Sequence, residues 1–516
     1  MKLTKQILCL VLALMMMLAV VACGGGEETT GTTTPAPDNG PTTPGDDDNS
    51  KETDLPDDIN FNGREMILYS RVQTANANSF KAEKDGTVVN NAVFDRNDDL
   101  AARLNCKLNY KEFAGNTNDN TMYDEMKALT DGFSYHIITT ATYKMVRLAV
   151  EGMLHNLADK EYISLEKDYY DDGYNEALNA GGRQYLVTGK FTISWYRYQV
   201  VCMFNRNLVF SSNLEYPYDT VLDQKWTTAK MMEYSTKMYK DLNGNNKYDV
   251  DDQFGLFMFV GSSSSQTDGF MGAFKLRLVN KTDDGYFGMI DIDRATWGNA
   301  LNDLIKMIEG NGSYCTNTLS NPMVEQKFID GQAGMICYRM YVVENEDMMK
   351  LGRTEKGYGI VPLPKANEEQ DDYSSYVQDQ VLTFGIPATA IDTDAAPRLT
   401  DATIFLEAFA YESYKTVMPA YYERALTKRY VIDERSKAMI EIIDTNIYVD
   451  PVNVYYGTYF NLTTGSLRGA YDGSTTVSAL LEAAIAEDTF LKKVQDLNDA
   501  YKKLANPDAG EETPAA

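Results

Sequence analysis

Residues 241–252, DLNGNNKYDVDD, place an oxygen-bearing group at almost every position that a calcium loop uses. Counted from one to twelve, the ligand positions are filled by Asp241, Asn243, Asn245, the carbonyl of Lys247, Asp249 and Asp252. Calcium is a hard cation that takes about six to eight oxygen ligands, and this spacing wraps them around one centre. The stretch therefore predicts an EF-hand-type ion loop.

Two positions depart from the EF-hand pattern. Asn246 stands at position six, where glycine is usual, and Asp252 stands at position twelve, where the EF-hand has glutamate. Asparagine tolerates the left-handed backbone better than most residues, and a terminal aspartate occurs in the dockerin version of the loop. The alternative is a plain polar turn after a helix. Because the loop is not duplicated, an ion there would be a structural staple that links folding to calcium binding.

Residues for acid–base or nucleophilic catalysis are scarce. The chain has two histidines, His136 and His155, which leaves little scope for a histidine-dependent triad or a histidine-rich metal site. A glycosidase needs only two carboxylates, but most of the 75 acidic residues fall in polar runs typical of a solvated surface. We expect a protein that is not an enzyme.

The N-terminus predicts the compartment. Lys2 and Lys5 precede an apolar run, and Val-Val-Ala-Cys-Gly at 20–24 has the form of a bacterial lipobox. We expect a signal peptide over 1–22 and a lipid on Cys23, which would anchor the protein to the cell membrane on its extracellular face, or in the periplasm of a two-membrane bacterium. The alternative is an ordinary signal peptide with a chance cysteine.

Composition divides the rest of the chain. Residues 24–57 hold almost no large apolar side chains and predict a disordered linker behind Cys23; residues 506–516 form a polar tail. The stretch between them, 58–505, exceeds what one core usually holds, so two domains are expected. The net charge of -27 argues against nucleic acid as a partner.

The spacing of the cysteines and the number of tyrosines bear on metal binding, disulfides and the type of ligand. Cys106, Cys202, Cys315 and Cys337 show no CxxC-type spacing, so no zinc cage is expected. A disulfide between Cys315 and Cys337 and buried free thiols remain equal alternatives. The 35 tyrosines suit a sugar ligand, since each offers an apolar face and a hydroxyl, but they suit half-buried surfaces equally well.

The elements that position these residues alternate between strand and helix. Strands are predicted at 66–70, 106–110 and 136–140, with helices over 93–104 and 122–129 between them. This alternation is typical of an α/β fold. Later patterns predict a β-rich run over 185–208, a helix from Thr227 or Thr228 into the ion loop, a helix over 296–309, strands within 328–340, 359–365 and 381–390, and a final helix over 477–504.

In this order the segments resemble the bacterial extracellular solute-binding lipoproteins of the carbohydrate-binding family 1 type, which serve ATP-driven importers. The resemblance covers about 58–505. Its most telling pieces are VCMFNRNLVF at 201–210, the stretch from Trp226 to Leu256 with the ion loop inside it, FIDGQAGMICYRM at 328–340, and YGIVPLPK at 358–365.

The resemblance implies a fold and its boundaries. The fold is α/β, a two-lobed periplasmic-binding-protein-like fold (type II) whose lobes are joined by hinge crossings. Lobe 1 would hold 58–193 plus 359–415, and lobe 2 would hold 194–358 plus 416–505. The crossings would fall near 192–199, 359–364 and 411–419.

The resemblance also places candidate solute contacts in the first crossing, because sugar sites combine stacked aromatics with polar groups. Trp195, Tyr196 and Tyr198 lie in the predicted hinge strand, where alternate side chains would point toward the cleft. The alternative for these aromatics is core packing.

Further candidate contacts come from other positions that match relatives. Tyr338 and Arg339 follow a buried strand, where Arg339 could donate a fork of hydrogen bonds to hydroxyls or to a carboxylate, or could form a salt bridge instead. Tyr143 matches a usual cleft position, although the surrounding TTATYK departs from the family. Tyr169 and Tyr170 resemble an aromatic pair of relatives, with a surface patch as the alternative.

The function implied by the resemblance is capture of a small-molecule sugar or oligosaccharide between the two lobes and its delivery to the membrane permease subunits of an ABC-type importer. Closure of the lobes around the solute would provide affinity. The alternatives are a secreted carbohydrate-active enzyme and a cell-surface adhesion lipoprotein.

Overall fold

The computed structural model describes residues 53–72, 79–114, 120–129, 132–260, 265–291, 293–354, 356–422, 434–455 and 487–506. The predicted signal peptide, Cys23, most of the linker and the tail from 507 lie outside the described residues. Predictions about those segments stay predictions.

A four-stranded sheet organises the first lobe, in the order β13-β3-β1-β2. Its strands are β1 (Glu65–Val72), β2 (Lys107–Ala114), β3 (Ile137–Ala141) and β13 (Leu382–Gly385). Strand β1 pairs in parallel with β2 and β3, whereas β13 runs antiparallel to β3. Helices α1 (Val88–Arg103) and α2 (Thr121–Ala128) connect the parallel strands. The predicted strand-helix-strand units are therefore present.

Helix α13 (Arg398–Glu412) covers this sheet and is buried along most of its length. Its Phe409 packs against Phe384 of β13, with ring centroids 5.7 Å apart. The guanidinium of Arg96, from α1, lies 4.2 Å from the Phe409 ring centroid and donates to Ser413 Oγ at 2.8 Å. Burial of these aromatic faces holds the two helices against the sheet.

A five-stranded sheet organises the second lobe, in the order β10-β7-β11-β6-β12. Its strands are β6 (Val200–Asn205), β7 (Phe254–Phe259), β10 (Ser313–Thr316), β11 (Ala333–Arg339) and β12 (Tyr358–Val361). Strand β7 pairs in parallel with β10 and β11, while β6 runs antiparallel to β11 and β12. Strands β6 and β7 are buried at every position, as expected for strands with both faces covered.

Short elements surround the two sheets. The remaining helices are α3 (Thr142–Val150), α4 (Asp172–Leu178), α5 (Ile193–Arg197), α6 (Arg206–Ser211), α7 (Tyr218–Leu222), α8 (Thr228–Met238), α9 (Ser265–Ala273), α10 (Arg294–Glu309), α11 (Asn321–Ile329), α12 (Glu346–Gly352), α14 (Glu434–Thr445), α15 (Pro451–Val454) and α16 (Glu487–Ala505). Two-stranded pairs are formed by β4 (Asn179–Ala180) with β5 (Arg183–Gln184), β8 (Val279–Lys281) with β9 (Phe287–Met289), and β14 (Asp392–Thr393) with β15 (Ala396–Pro397). A 3₁₀ turn spans Met340–Glu344, and a π-helical segment, Ser413–Val417, follows α13.

The path between the lobes differs from the expected boundary at 359. Strand β12 pairs with β6 and so belongs to the second sheet, and the chain returns to the first sheet only at β13. A later crossing from the first lobe to the second was expected near 411–419. Helix α13, before it, packs on the first lobe, and helix α14, after it, packs on β12 of the second sheet. The described part of the final helix is α16, and residues 477–486 of the predicted helix lie outside the described residues.

The β-rich run over 185–208 is only partly strand. Residues 193–197 form the short helix α5, and β6 begins at Val200. Trp195, Tyr196 and Tyr198 are all almost fully buried. Since a segment buried on every side has no apolar period, its residue types cannot separate strand from helix.

The four cysteines of the two lobes are free thiols. Cys337 of β11 lies opposite Cys202 of β6 in the antiparallel register, and Cys315 lies on β10. The disulfide alternative for Cys315 and Cys337 is therefore not observed. In the described parts of the chain, no helix is both long and apolar enough to cross a bilayer.

His136 is the basis of the first prediction. Its Nδ1 accepts the backbone N–H of Ile67 at 2.9 Å, and burial, followed by the charges of Arg398 and Arg64, lowers the pKa of His136 to about 4. The neutral ring is thus favoured in the folded state. Stability from this group is present above its unfolded pKa of about 6.5 and is lost as the pH falls toward 4.

We expect the wild type to lose about 2–3 kcal/mol of unfolding free energy from His136 between about pH 7 and pH 4.5. His136→Asn keeps an acceptor near Nδ1 and removes the titration, so its loss should be smaller by that amount. Urea unfolding of both proteins at the two pH values measures the difference. Other titrating groups act equally on both chains, and parallel pH curves would contradict the assignment.

Candidate functional site

Three chain segments meet between the sheets and form a hinge. Val200 N–H donates to the Tyr376 carbonyl, and Gln378 N–H donates to the Tyr198 carbonyl, each at 3.0 Å. These bonds pair the first crossing, around Gln199, antiparallel to the second, around Val377. Residues 446–448 form the third segment and pair with Ser375.

Asp444, at the end of α14, gathers side chains of the first crossing. Its carboxylate accepts from Trp195 Nε1 at 3.0 Å and from Gln199 Nε2 at 2.9 Å. Tyr196 donates its hydroxyl to the same carboxylate at 3.3 Å, and Lys190 lies 3.8 Å away. Trp195 and Tyr196 therefore fasten α14 to the hinge, which favours the core-packing alternative for both in this conformation.

A second ionic contact ties α5 to the second lobe. Arg197 donates from Nε and Nη2 to Glu344 at 2.7 and 2.9 Å, a two-point pairing. Tyr421 also donates to Glu344, at 2.7 Å. The carboxylates of Glu344 and Asp444 are thus already bonded to donors of the protein.

Beside these contacts lie buried polar atoms that have no partner among the described residues. They are the Tyr198 hydroxyl and Gln199 Oε1, whose side chains are 0% exposed, and Nε of Arg339. A buried polar atom without a hydrogen bond is costly, by about 1–3 kcal/mol, so its retention requires a reason such as an absent partner molecule. All three groups lie at the hinge.

Arg339 stands at the end of β11 and faces the second crossing. Its Nη1 donates to Gln378 Oε1 and its Nη2 to the Tyr341 hydroxyl, each at 3.0 Å. The guanidinium carbon also lies 4.8 Å from the Tyr341 ring centroid. The neighbouring Tyr338 is fully buried and donates to Glu325 at 2.5 Å. Arg339 is half-buried. The salt bridge that was its alternative role is not formed with any described residue.

Positive charge surrounds the Tyr198 hydroxyl. Burial raises the pKa of Tyr198 to about 12, while the charges of Arg339, Arg71 and Arg197 act in the opposite direction. Arg71 is 4% exposed and lies near the carboxyl end of β1. Arginines at the carboxyl ends of β1 and β11 thus approach one hydroxyl from both sheets. In open α/β sheets, ligands bind at the carboxyl ends of the strands.

The other predicted contacts separate into two groups. Tyr143 begins α3 beside the second crossing, where its N–H donates to the Asp379 carbonyl at 3.4 Å, and it is half-buried. Tyr169 and Tyr170 are instead in the core of the first lobe, where both hydroxyls donate to Glu407 of α13. The surface-patch alternative for this pair is wrong, because both side chains are at most 2% exposed.

The 241–252 loop folds around its own side chains. Asn246 has φ of 56°, so position six adopts the left-handed conformation. The Asp241 carboxylate accepts the N–H groups of Gly244 and Asn246 at 2.6 and 2.8 Å. The Asn245 amide donates to Asp249 at 2.6 Å. Within the described ranges, no three His, Cys, Asp or Glu residues are gathered as metal ligands.

Several hinge residues escaped sequence reasoning. Arg197 and Glu344 are 147 positions apart, and Gln199 and Asp444 are 245 apart, so no local pattern joins them. Arg71 could have been named as a site candidate from the sequence, because it is a charged residue at the end of an apolar strand.

Comparison with known proteins identifies the fold. No protein-family model and no curated protein matches the chain. Among solved structures, a sugar transporter from Rhizobium etli in an open conformation is 15% identical with a TM-score of 0.52, covering 84% of this chain and 99% of that chain.

Two liganded structures are similar to the same extent. A cyclo/maltodextrin-binding protein complexed with maltotetraose is 14% identical with a TM-score of 0.51, covering 84% of this chain and 96% of that chain. An ABC transporter solute-binding protein from Thermotoga lettingae bound with α-D-tagatose is 12% identical with a TM-score of 0.51, covering 85% and 100%. The predicted two-lobed, periplasmic-binding-protein-like α/β fold is confirmed.

Two buried tyrosines, Tyr170 and Tyr198, differ in whether the hydroxyl has a described hydrogen-bond partner, which gives a pair for comparison. Tyr170→Phe removes a 2.9 Å hydrogen bond to a carboxylate and should lower the unfolding free energy by about 1.5–3 kcal/mol. Tyr198→Phe removes a hydroxyl without a described partner and should change it by less than about 0.5 kcal/mol or raise it. Urea unfolding tests both, and equal losses would contradict the contrast.

Proposed function

We propose that the protein is the extracellular sugar- or oligosaccharide-binding component of an ATP-driven importer. The observation that carries the proposal is the set of buried, unpartnered polar atoms of Tyr198, Gln199 and Arg339, located at the hinge of a two-lobed fold. Support comes from structures of the same fold in complex with maltotetraose and with α-D-tagatose.

The chemistry of the hinge suits a polyhydroxylated solute. The Tyr198 hydroxyl both donates and accepts, Gln199 Oε1 accepts, and Arg339 Nε donates, so the set matches groups that a sugar carries at high density. The tyrosines around them, Tyr341 and Tyr143, add apolar faces against which a sugar ring can pack. In this proposal the site binds and orients a solute without reacting with it.

Affinity then arises from closure. In this conformation the Tyr198 hydroxyl and Gln199 are buried, so the lobes must part to admit a solute and close again over it. A solute that satisfies these atoms only when both lobes contact it favours the closed state by that difference in contacts. The hinge bonds around Gln199 absorb the rotation while both sheets stay intact.

Anchoring and delivery complete the proposal. A lipid on Cys23 and the polar linker would hold the two lobes outside the cell membrane while leaving them free to turn. The closed form would then dock on membrane permease subunits. The protein converts nothing in this cycle, and nucleic acid has no part in it.

A sugar panel tests the proposed function. We expect at least one mono- or oligosaccharide to raise the melting temperature and to reduce the radius of gyration in X-ray scattering, because the bound form is closed. Tyr198→Phe should weaken binding of that sugar about 2- to 10-fold, the value of one hydrogen bond. Tyr170→Phe is the control and should bind normally. A panel without any stabilising sugar would refute the proposal.

We also propose that the 241–252 loop binds calcium as a structural ion. The left-handed backbone at Asn246 and the convergence of Asn243 and Asn245 on Asp249 support it. An ion would replace the amide groups of Asn243 and Asn245 as partners of the Asp249 carboxylate. The two asparagine side chains would then turn their oxygens toward the ion. Bound calcium would neutralise the carboxylates and fix the end of α8.

Chelation tests the ion. Calcium should raise the melting temperature of the wild type by several degrees, and a chelator should reverse the rise. Asp241→Asn should abolish the calcium response, since it keeps the loop's side-chain acceptor and removes a charged ligand. Asp251→Asn, an exposed acid outside the ligand positions, is the matched control. A wild-type melting temperature that is identical with calcium and with chelator would exclude the ion.

A further inference from the structure

Arg339 differs from Arg64 and Arg197 in its partners. Arg64 and Arg197 each pair with a carboxylate through two nitrogens, to Asp401 and Glu344. Arg339 donates only to neutral oxygens, those of Gln378 and Tyr341. Arg96 also donates only to neutral oxygens, but it is buried in the first lobe against Phe409, whereas Arg339 is half-buried at the hinge.

Two carboxylates of the hinge are already bonded to other donors. Glu344 is held by Arg197 and Tyr421, and Asp444 is held by Trp195, Tyr196 and Gln199. Moving either acid to Arg339 would break these bonds. Neither of these two carboxylates pairs with Arg339, and its guanidinium forms no ion pair with any other described residue.

The free edge of the guanidinium has the geometry of a carboxylate site. Nε is buried and without a partner, and it lies on the same edge as Nη2, whose present partner is a tyrosine hydroxyl that can turn away. Arginine binds a carboxylate through two such parallel N–H groups. The unpartnered Tyr198 hydroxyl, which feels the charge of Arg339, supplies a further donor.

We propose that the natural solute is an acidic sugar, and that its carboxylate binds the Nε edge of Arg339 with the Tyr198 hydroxyl as a third donor. This inference rests on the proposed function and narrows its solute class. Closure over a neutral sugar would bury the guanidinium further without an opposite charge, which is unfavourable. An acidic sugar supplies that charge when the lobes close, so it gains affinity that a neutral one does not.

The test compares sugars that carry a carboxylate with forms in which that carboxylate is neutralised. The panel contains uronic and sialic acids and their oligosaccharides, each beside its own neutral methyl ester, with neutral oligosaccharides as a third group. Isothermal titration calorimetry is run on the wild type, Arg339→Gln and Arg339→Lys. Arg103→Gln, at a partly exposed ion pair on α1, is the control variant.

We expect an acidic sugar to bind the wild type at least about 10- to 100-fold more tightly than its ester, the range expected for hydrogen bonds to a charged group. Arg339→Gln should bind acid and ester alike, Arg339→Lys should keep part of the preference, and Arg103→Gln should behave as the wild type. If Arg339→Gln does not fold, the acid-to-ester ratio of the wild type and the Arg339→Lys variant decide.

Two results overturn the inference and are distinguishable. If neutral sugars or esters bind as tightly as acids and Arg339→Gln leaves the affinities unchanged, the charge preference is wrong while the sugar-binding function stands. If no sugar of any group binds the wild type, the proposed function itself fails, and this inference fails with it.

Discussion

The antiparallel pairing of the first and second crossings at Gln199 and Val377 is the constraint on which the arrangement of the molecule depends. Backbone bonds in both directions join two segments that are far apart in sequence, and each leads directly into a strand of a different sheet. Because these bonds are made by backbone atoms, they fix where the two sheets approach each other regardless of the side chains nearby. The side chains there are consequently free to serve recognition.

Those side chains form two sets: a fastened set, whose members are hydrogen-bonded to hinge carboxylates, and an unsatisfied set, whose buried polar atoms have no described partner. Asp444 and Glu344 accept hydrogen bonds from side chains of the first crossing and hold α5 and α14 in place. Tyr198, Gln199 Oε1 and Arg339 Nε remain buried without described partners. The fastened set gives the unsatisfied set fixed positions, so a solute meets donors and acceptors that are already oriented. Such preorganisation reduces the ordering that binding requires.

The sequence predicted the fold further than it predicted the site. The spacing of apolar residues in α1, between β1 and β2, was enough to find the first crossover unit, because a surface helix on a sheet keeps one buried face. The segment around Trp195 was misread as strand, since it is buried on all sides and has no period. Strand β12 was recognised as a strand but assigned to the wrong lobe, because its partner β6 lies more than 150 positions earlier.

The candidate site shows the same limit more strongly. Tyr198 and Arg339 were named from aromatic content and from resemblance, and they do meet at the hinge. Tyr169 and Tyr170 carried the same residue type and are core residues bonded to Glu407. Residue type alone cannot distinguish them, because the difference lies in whether a buried acid from a distant helix reaches the hydroxyl. Only the three-dimensional contact decides that.

The free thiols determine how the molecule responds to oxidants and reductants. Burial raises the pKa of Cys106 to about 11 and raises the pKa values of Cys315 and Cys337, so these sulfurs are almost never thiolates and react slowly with oxidants. The two lobes therefore owe their cohesion to packed apolar layers and not to covalent cross-links. A reducing environment therefore breaks no covalent bond between the described residues of the two lobes.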